Sequence, residues 1–220
     1  MIATLAFVLA VSDDNNLTAK EKAAGWQLLF DGKSTAGWHN FKAKGVKPGW
    51  EVKNGVLTSV SPDDAGDICT DKMFTYFELK IDYRLTKGGN SGVMFRVTND
   101  GDETWHSGPE VQIYDDHGEE GAQKSGFLYE LYGSKVDSTV PPGNWNTFVI
   151  HIAKDKCYTE VNGKRYYEFK IDSPDFWAKV KASKFSEHPM FAKSKTGMIA
   201  IQGDHGVVSF KNIKIKELKS

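Results

Sequence analysis

The sequence is poor in cysteine. Among 220 residues there are two, Cys69 and Cys157. Their spacing matches no C-x-x-C or zinc-ligand pattern, which argues against a disulfide-built scaffold and a structural zinc site. One disulfide is compatible with an exported chain, while two buried free thiols are the plainer expectation. Charge of one sign is also lacking: 28 basic residues face 29 acidic ones, with no block of like charge. That removes the electrostatic footprint of a nucleic-acid binder and of a polybasic membrane patch. No repeat, heptad or low-complexity tract occurs. The apolar run from Ile2 to Val11 is too short to span a bilayer. With Ala10-Val11-Ser12 offering small residues after it, the run reads as the apolar region of an export signal, although no Lys or Arg precedes it. The expected location is secreted or periplasmic, with no stable membrane insertion after processing. Residues 1–24 are therefore read as signal-like segment plus linker or short helix, and 25–220 as one domain, long enough to bury a full core.

What is present is strand signal. Phe77-Glu78-Leu79-Lys80-Ile81-Asp82-Tyr83-Arg84-Leu85 alternates apolar and polar or charged residues, so one face is buried and the other wet. Asn54-Gly55 and Asn162-Gly163 each separate two such runs, and both residue types tolerate the positive φ of a type I′ hairpin turn. Further strands are expected at 92–97, 110–114, 147–152, 197–202 and 207–215. Helix signals are sparse: Ser173-Pro174-Asp175 starts one short helix, with Ser173 as cap and Pro174 at its first position. The expectation is an all-β sandwich of two antiparallel sheets, with a closed barrel as the alternative. The Gly- and charge-rich stretch from Asp115 to Pro142 reads as a functional loop rather than core.

Candidate chemistry gathers on a few of these strands. In Glu110-Val111-Gln112-Ile113-Tyr114-Asp115, the residues Glu110, Gln112 and Tyr114 share one face, spaced about 7 Å apart, while Val111 and Ile113 enter the core. A carboxylate, an amide and a phenol in a row are costly to bury and suit a sugar-binding groove, or else form an ordinary wet sheet face. Asp115 falls on the opposite face unless a bulge turns it back. On the strand after Asn90-Ser91, Val93, Phe95 and Val97 form one side and Met94 and Arg96 the other. Arg96, flanked by apolar residues, needs an anionic partner, and Glu110 on a neighbouring strand is the natural candidate. Gln202, Asp204 and His205 end a late strand with an amide, a carboxylate and an imidazole able to exchange protons near neutrality. Asp204 and His205 could share a divalent cation with Glu110, though no spacing demands it. No organic cofactor is expected. Trp105 and His106, just before Gly108-Pro109, read as rim residues for stacking and hydrogen bonding to a sugar, and the six Trp residues are either such platforms or core.

These segments, taken in order, resemble one family. Gly25-Trp26-Gln27-Leu28-Leu29-Phe30-Asp31-Gly32-Lys33 and Gly37-Trp38 look like its opening. Gly89-Asn90-Ser91-Gly92-Val93-Met94-Phe95-Arg96 and Gly108-Pro109-Glu110-Val111-Gln112-Ile113-Tyr114-Asp115 look like its middle. Gly143-Asn144-Trp145-Asn146, Ile199-Ala200-Ile201-Gln202, Asp204-His205-Gly206 and Phe210-Lys211-Asn212-Ile213-Lys214-Ile215 follow. The sequence is similar, over roughly 25–218, to the 3-keto-disaccharide hydrolases, also described as 3-keto-glucoside lyases and 3-keto-glucal hydratases. The resemblance implies a concanavalin A-like jelly roll with a minor short helix, bacterial export, and a small carbohydrate substrate already oxidised at C3. A C3 ketone acidifies the C2 hydrogen, so a base can form an enolate, the C1 substituent can leave, and water can add back. On that route Glu110 or His205 would be the base and Arg96 or a cation would stabilise the enolate, with Asp115 as second carboxylate. Asn90, Gln112 and Gln202 would orient hydroxyls, with Asp204, Trp105 and His106 around them. Two rival readings are a retaining glucanase, which needs two carboxylates about 5–5.5 Å apart, and a non-catalytic sugar-binding module. Gln112 stands where such glucanases carry an acid. The oligomeric state is not legible in the sequence.

Overall fold

Both Asn-Gly pairs turn the chain as their chemistry requires. In a computed structural model describing residues 14–115 and 124–219, Asn54 and Gly55 have φ of 51° and 79°, and Asn162 and Gly163 have 49° and 77°. The signal-like run at 2–11 lies outside the described residues. The strands in chain order are β1 (Trp26–Leu28), β2 (Trp38–Asn40), β3 (Trp50–Lys53), β4 (Val56–Ser59), β5 (Ile68–Phe74), β6 (Phe77–Leu85) and β7 (Asn90–Val97). They continue with β8 (Glu110–Tyr114), β9 (Asn146–Ile152), β10 (Cys157–Val161), β11 (Lys164–Phe169), β12 (Gly197–Ile201) and β13 (Val208–Glu217). The helices are short: α1 (Ala19–Ala23), α2 (Pro62–Ala65) and α3 (Pro174–Ala182).

The strands form two antiparallel sheets rather than a closed barrel. One runs β11-β10-β9-β6-β13-β4-β3, with β1 also on β13; the other runs β2-β5-β12-β7-β8. The alternation read in β6 is real, every second residue being buried. Leu79, Ile81, Phe148, Ile150 and Phe210 of the larger sheet meet Val93, Phe95, Val111, Ile113, Ile199 and Ile201 of the smaller one in a single core. Each such side chain contributes about 1.5–3 kcal/mol by leaving water. Both cysteines are buried free thiols.

Two expectations are corrected and a third is sharpened. The alternation of β7 breaks at Arg96, whose φ is 59°. Between Met94 and Val97, β7 carries three steps against two on β12, so Arg96 is the extra residue of a bulge. Val97 consequently joins Met94, not Phe95, in a satellite cluster on the outer face of the smaller sheet. Second, the stretch after Asp115 is partly core: Phe127, Leu128 and Leu131 are buried. Tyr129 N–H donates to Glu110 O (2.9 Å) and Gln112 N–H to Phe127 O (3.0 Å), so residues 126–129 cover the exposed edge of β8. Third, residues 14–24, read as linker or short helix, hold a short helix and are also anchored to the domain. Thr18 and Glu21 form a capping box on α1, Asn15 N–H donates to Asn212 Oδ1 (2.6 Å) and Lys211 pairs with Asp14 (2.8 Å).

Candidate active site

Inward-facing residues of the smaller sheet are apolar, so its outer face is where polar side chains can collect. Glu110 and Gln112 point there from β8, and neighbouring strands extend the row. Gln112 pairs with Gly92, Gln202 N–H donates to Gly92 O (3.0 Å), and Gln202 and Asp67 flank the Ile201–Ile68 pair. A cavity of about 240 Å³ opens over this row, lined by Asn90, Trp105, Glu110, Gln112, Gln202 and His205 of the expected set. Tyr129, Lys184 and Phe185 complete its wall.

Glu110 is only 8% exposed. A Cβ on Gly92 would fall on its carboxyl, so the glycine makes its room. Gln112, with its amide nitrogen turned toward the carboxyl, donates to Glu110 Oε1 (3.0 Å) and Ser91 O (3.2 Å). Burial, followed by the negative charge of Asp67, pushes the Glu110 carboxyl up to about 8, against the pull of Lys184. At neutral pH it is predominantly protonated, which suits a proton donor better than a base. Asp67, hydrogen-bonded to Thr104 Oγ1 and to Gly203 N–H (3.3 Å), is itself raised by burial to about 6. Through Thr104 it tethers the turn that carries Trp105.

His205 and Asp204 form a hydrogen-bonded pair through Nδ1 and Oδ1. With the proton on Nδ1, Nε2 keeps its lone pair and can act as a base. Both side chains are about half exposed, 51% and 45%, so the pair sits at the mouth of the pocket. Lys184 Nζ lies over the rings of Tyr129 (4.5 Å), Trp105 (5.2 Å) and Phe185 (5.6 Å), an aromatic cage that holds it at the pocket wall. The local sequence builds this position: Ser173 caps α3 through Phe176 N–H (3.1 Å), and Ser183 caps the following turn through Phe185 N–H (3.3 Å). Phe185 then stacks on Phe191 with centroids 4.1 Å apart.

Three expected site residues lie elsewhere. Arg96 does not meet Glu110; its guanidinium grips Asp172 with two bonds of 3.1 Å and donates to Ala192 O (3.2 Å). The bulge turned it toward that partner. Asp115 accepts from Gly88 N–H (2.8 Å) and lines a separate narrow cleft with Tyr114, so it is no second carboxylate beside Glu110. His106 lies outside the Glu110 pocket, in a neighbouring cavity. Among the described residues, no three His, Cys, Asp or Glu side chains are grouped to hold a metal, so the Glu110–Asp204–His205 cation site is not assembled. Asp67, Tyr129, Lys184 and Phe185 were missed by sequence reasoning. Tyr129 lies in the 115–142 stretch read as a functional loop, but nothing in the spacing linked any of the four to Glu110.

Comparison with known proteins bears on the fold and the family. A curated 3-keto-disaccharide hydrolase of Bacteroides thetaiotaomicron is 26% identical over 96% of this chain and 84% of its own length. The crystal structure of a candidate glycosyl hydrolase from Parabacteroides distasonis superposes with a TM-score of 0.86 at 33% identity, covering 94% of this chain and all of the other. A Bacillus licheniformis β-glucanase shares the fold alone, with a TM-score of 0.50, 11% identity, and coverage of 88% of this chain and 97% of its own. The model of the 3-keto-alpha-glucoside-1,2-lyase-like domain matches residues 25–216, and the chain belongs to that family.

Proposed function

We propose that this protein cleaves 3-keto-glucosides or 3-keto-disaccharides by elimination followed by hydration. The observation that carries the reading is one pocket holding a carboxyl raised to about 8 and a free imidazole nitrogen paired to a carboxylate. Two titratable groups whose environments assign them opposite proton-transfer roles are the signature of acid–base chemistry. His205 Nε2 takes the C2 proton and the electron pair forms the C2=C3 enolate. The Lys184 ammonium faces the negative O3, the role first expected of Arg96. The enolate then collapses: C3=O re-forms, C1=C2 forms, the C1–O bond breaks, and the leaving oxygen takes the proton of Glu110. Water adds hydroxyl to C1 as Glu110 recovers its proton, and the half-exposed imidazolium exchanges its proton with solvent before delivering one to C2, so the sum is hydrolysis. The size of the pocket, below the ~300–1,000 Å³ usual for drug-sized ligands, supports one sugar ring at the reacting position. With Asp115 in another cleft, the carboxylate pair of a glucanase built on Glu110 and Asp115 is unsupported.

Turnover of a methyl 3-keto-glucoside in deuterated water tests this. Deuterium at C2 of the product is expected, and turnover without it would overturn elimination. No turnover of any 3-keto-glycoside, with sugar binding retained, would leave a binding module. Export belongs to the same proposal, and a mature amino terminus near Ser12 in the culture fluid or periplasm is the expected result.

A further inference from the structure

Beside Trp105, which lines the Glu110 pocket, lies a second cavity, of about 160 Å³, lined by Asp100, Asp102, His106, His188, Pro189 and Met190. The His106 and His188 rings stack with centroids 4.2 Å apart. The Trp105 indole meets both edge-on, at 4.3 and 4.6 Å. One indole thus walls the first pocket and buttresses the second.

The polar groups around this cavity are those that bind neutral hydroxyls. His106 Nδ1 accepts from Asp102 N–H (3.2 Å), which leaves Nε2–H as its donor. Among the described residues the His188 ring makes no hydrogen bond and offers both nitrogens. Burial and the adjacent His106 hold His188 below the ordinary imidazole range, so it presents one donor and one acceptor. Asp100 accepts from Thr98 Oγ1 (2.8 Å) through one oxygen only, and Asp102 meets Lys42 at 3.7 Å. Met190, 39% exposed, gives an apolar edge. Two carboxylates disfavour a phosphate or carboxylate ligand, whereas carboxylates, neutral imidazoles and an apolar edge suit the hydroxyls and C–H face of an uncharged sugar.

We infer that this cavity is a second sugar subsite, which holds the leaving ring of a disaccharide while the oxidised ring lies at Glu110. The inference rests on the function proposed above, and its test separates the two. For His188→Ala, KM for a 3-keto-disaccharide rises about tenfold, equivalent to about 1.4 kcal/mol, while KM for methyl 3-keto-glucoside is unchanged. An equal change on both substrates, or on neither, overturns the subsite. If the wild type turns over neither substrate, the proposed function falls and a titration decides the subsite. Adding D-glucose to the wild type is then expected to shift the imidazole NMR signals of His106 and His188 but not those of His205. Unmoved His106 and His188 signals overturn the subsite in that case.

Discussion

The carboxyl of Glu110 lies over Gly92 on the neighbouring strand, in the space that a Cβ at position 92 would take. The contact ties the position of the acid to the absence of a side chain. Gly92→Ala is expected to displace the carboxyl and its bond from Gln112. Overpacking of this kind costs about 1–3 kcal/mol, and a ~1 Å misplacement can lower turnover ~100-fold. Thermal denaturation and kcat for the purified variant check both.

Glu110 also makes stability depend on pH. Its carboxyl is raised to about 8 in the folded protein, so the folded state binds the extra proton between the ordinary carboxylate range and about 8. Its stabilising contribution is whole below the unfolded value and is lost as pH rises through 8, by about 1.4 kcal/mol per pH unit. Glu110→Gln lacks this loss. Its melting temperature is expected to gain on that of the wild type from pH 5 to 8 and then level off, while its turnover is abolished.

The same ionisation governs rate. If Glu110 is the acid, kcat/KM falls as pH rises through about 8, where the donor loses its proton. A pH–rate profile with a methyl 3-keto-glucoside checks this, and a rate that climbs through pH 8 would instead assign the base role to Glu110.

Lys184 is the cation that faces the pocket, whereas Arg96 is committed to Asp172. Lys184→Met is expected to lower kcat by about 10²–10³, the usual cost of losing one oxyanion-stabilising group. Lys184→Arg should keep part of the activity, and melting temperatures should stay near wild type for both.

Arg96→Ala is expected to behave oppositely. Arg96 is 1% exposed but Asp172 is 36% exposed, so the carboxylate left behind is partly solvated and the loss, about 1–3 kcal/mol, is that of the guanidinium's hydrogen bonds. Denaturant titration should show that loss. The kcat of the folded fraction should change by less than about tenfold, since the guanidinium does not reach the pocket.

Much of this was legible in the chain. The period-two pattern of Phe77–Leu85, the two Asn-Gly turns and the Ser173-Pro174 helix start are local signals, decided by residues within a few positions of one another. The same holds for the shared face of Glu110 and Gln112 with Val111 and Ile113 behind it. Arg96 could not be placed in this way. The bulge that turns it is a mismatch of three steps on β7 against two on β12, about a hundred residues later. Asp115 was misplaced because its partner, Gly88 N–H, sits in another turn.

The sequence by itself determined most of the strands, their turns and the polar face on which the acid stands, because these follow from side-chain periodicity and from the φ that Asn and Gly allow, while the choice of a sandwich over a closed barrel came from the strand pairing. Only the tertiary structure decided which charges meet. Lys184 reaches Glu110's pocket across 74 positions of chain, and Asp67 raises Glu110 from the connection just before β5. Burial and Coulomb interactions depend on distance in space, and alternation along one strand carries no record of them.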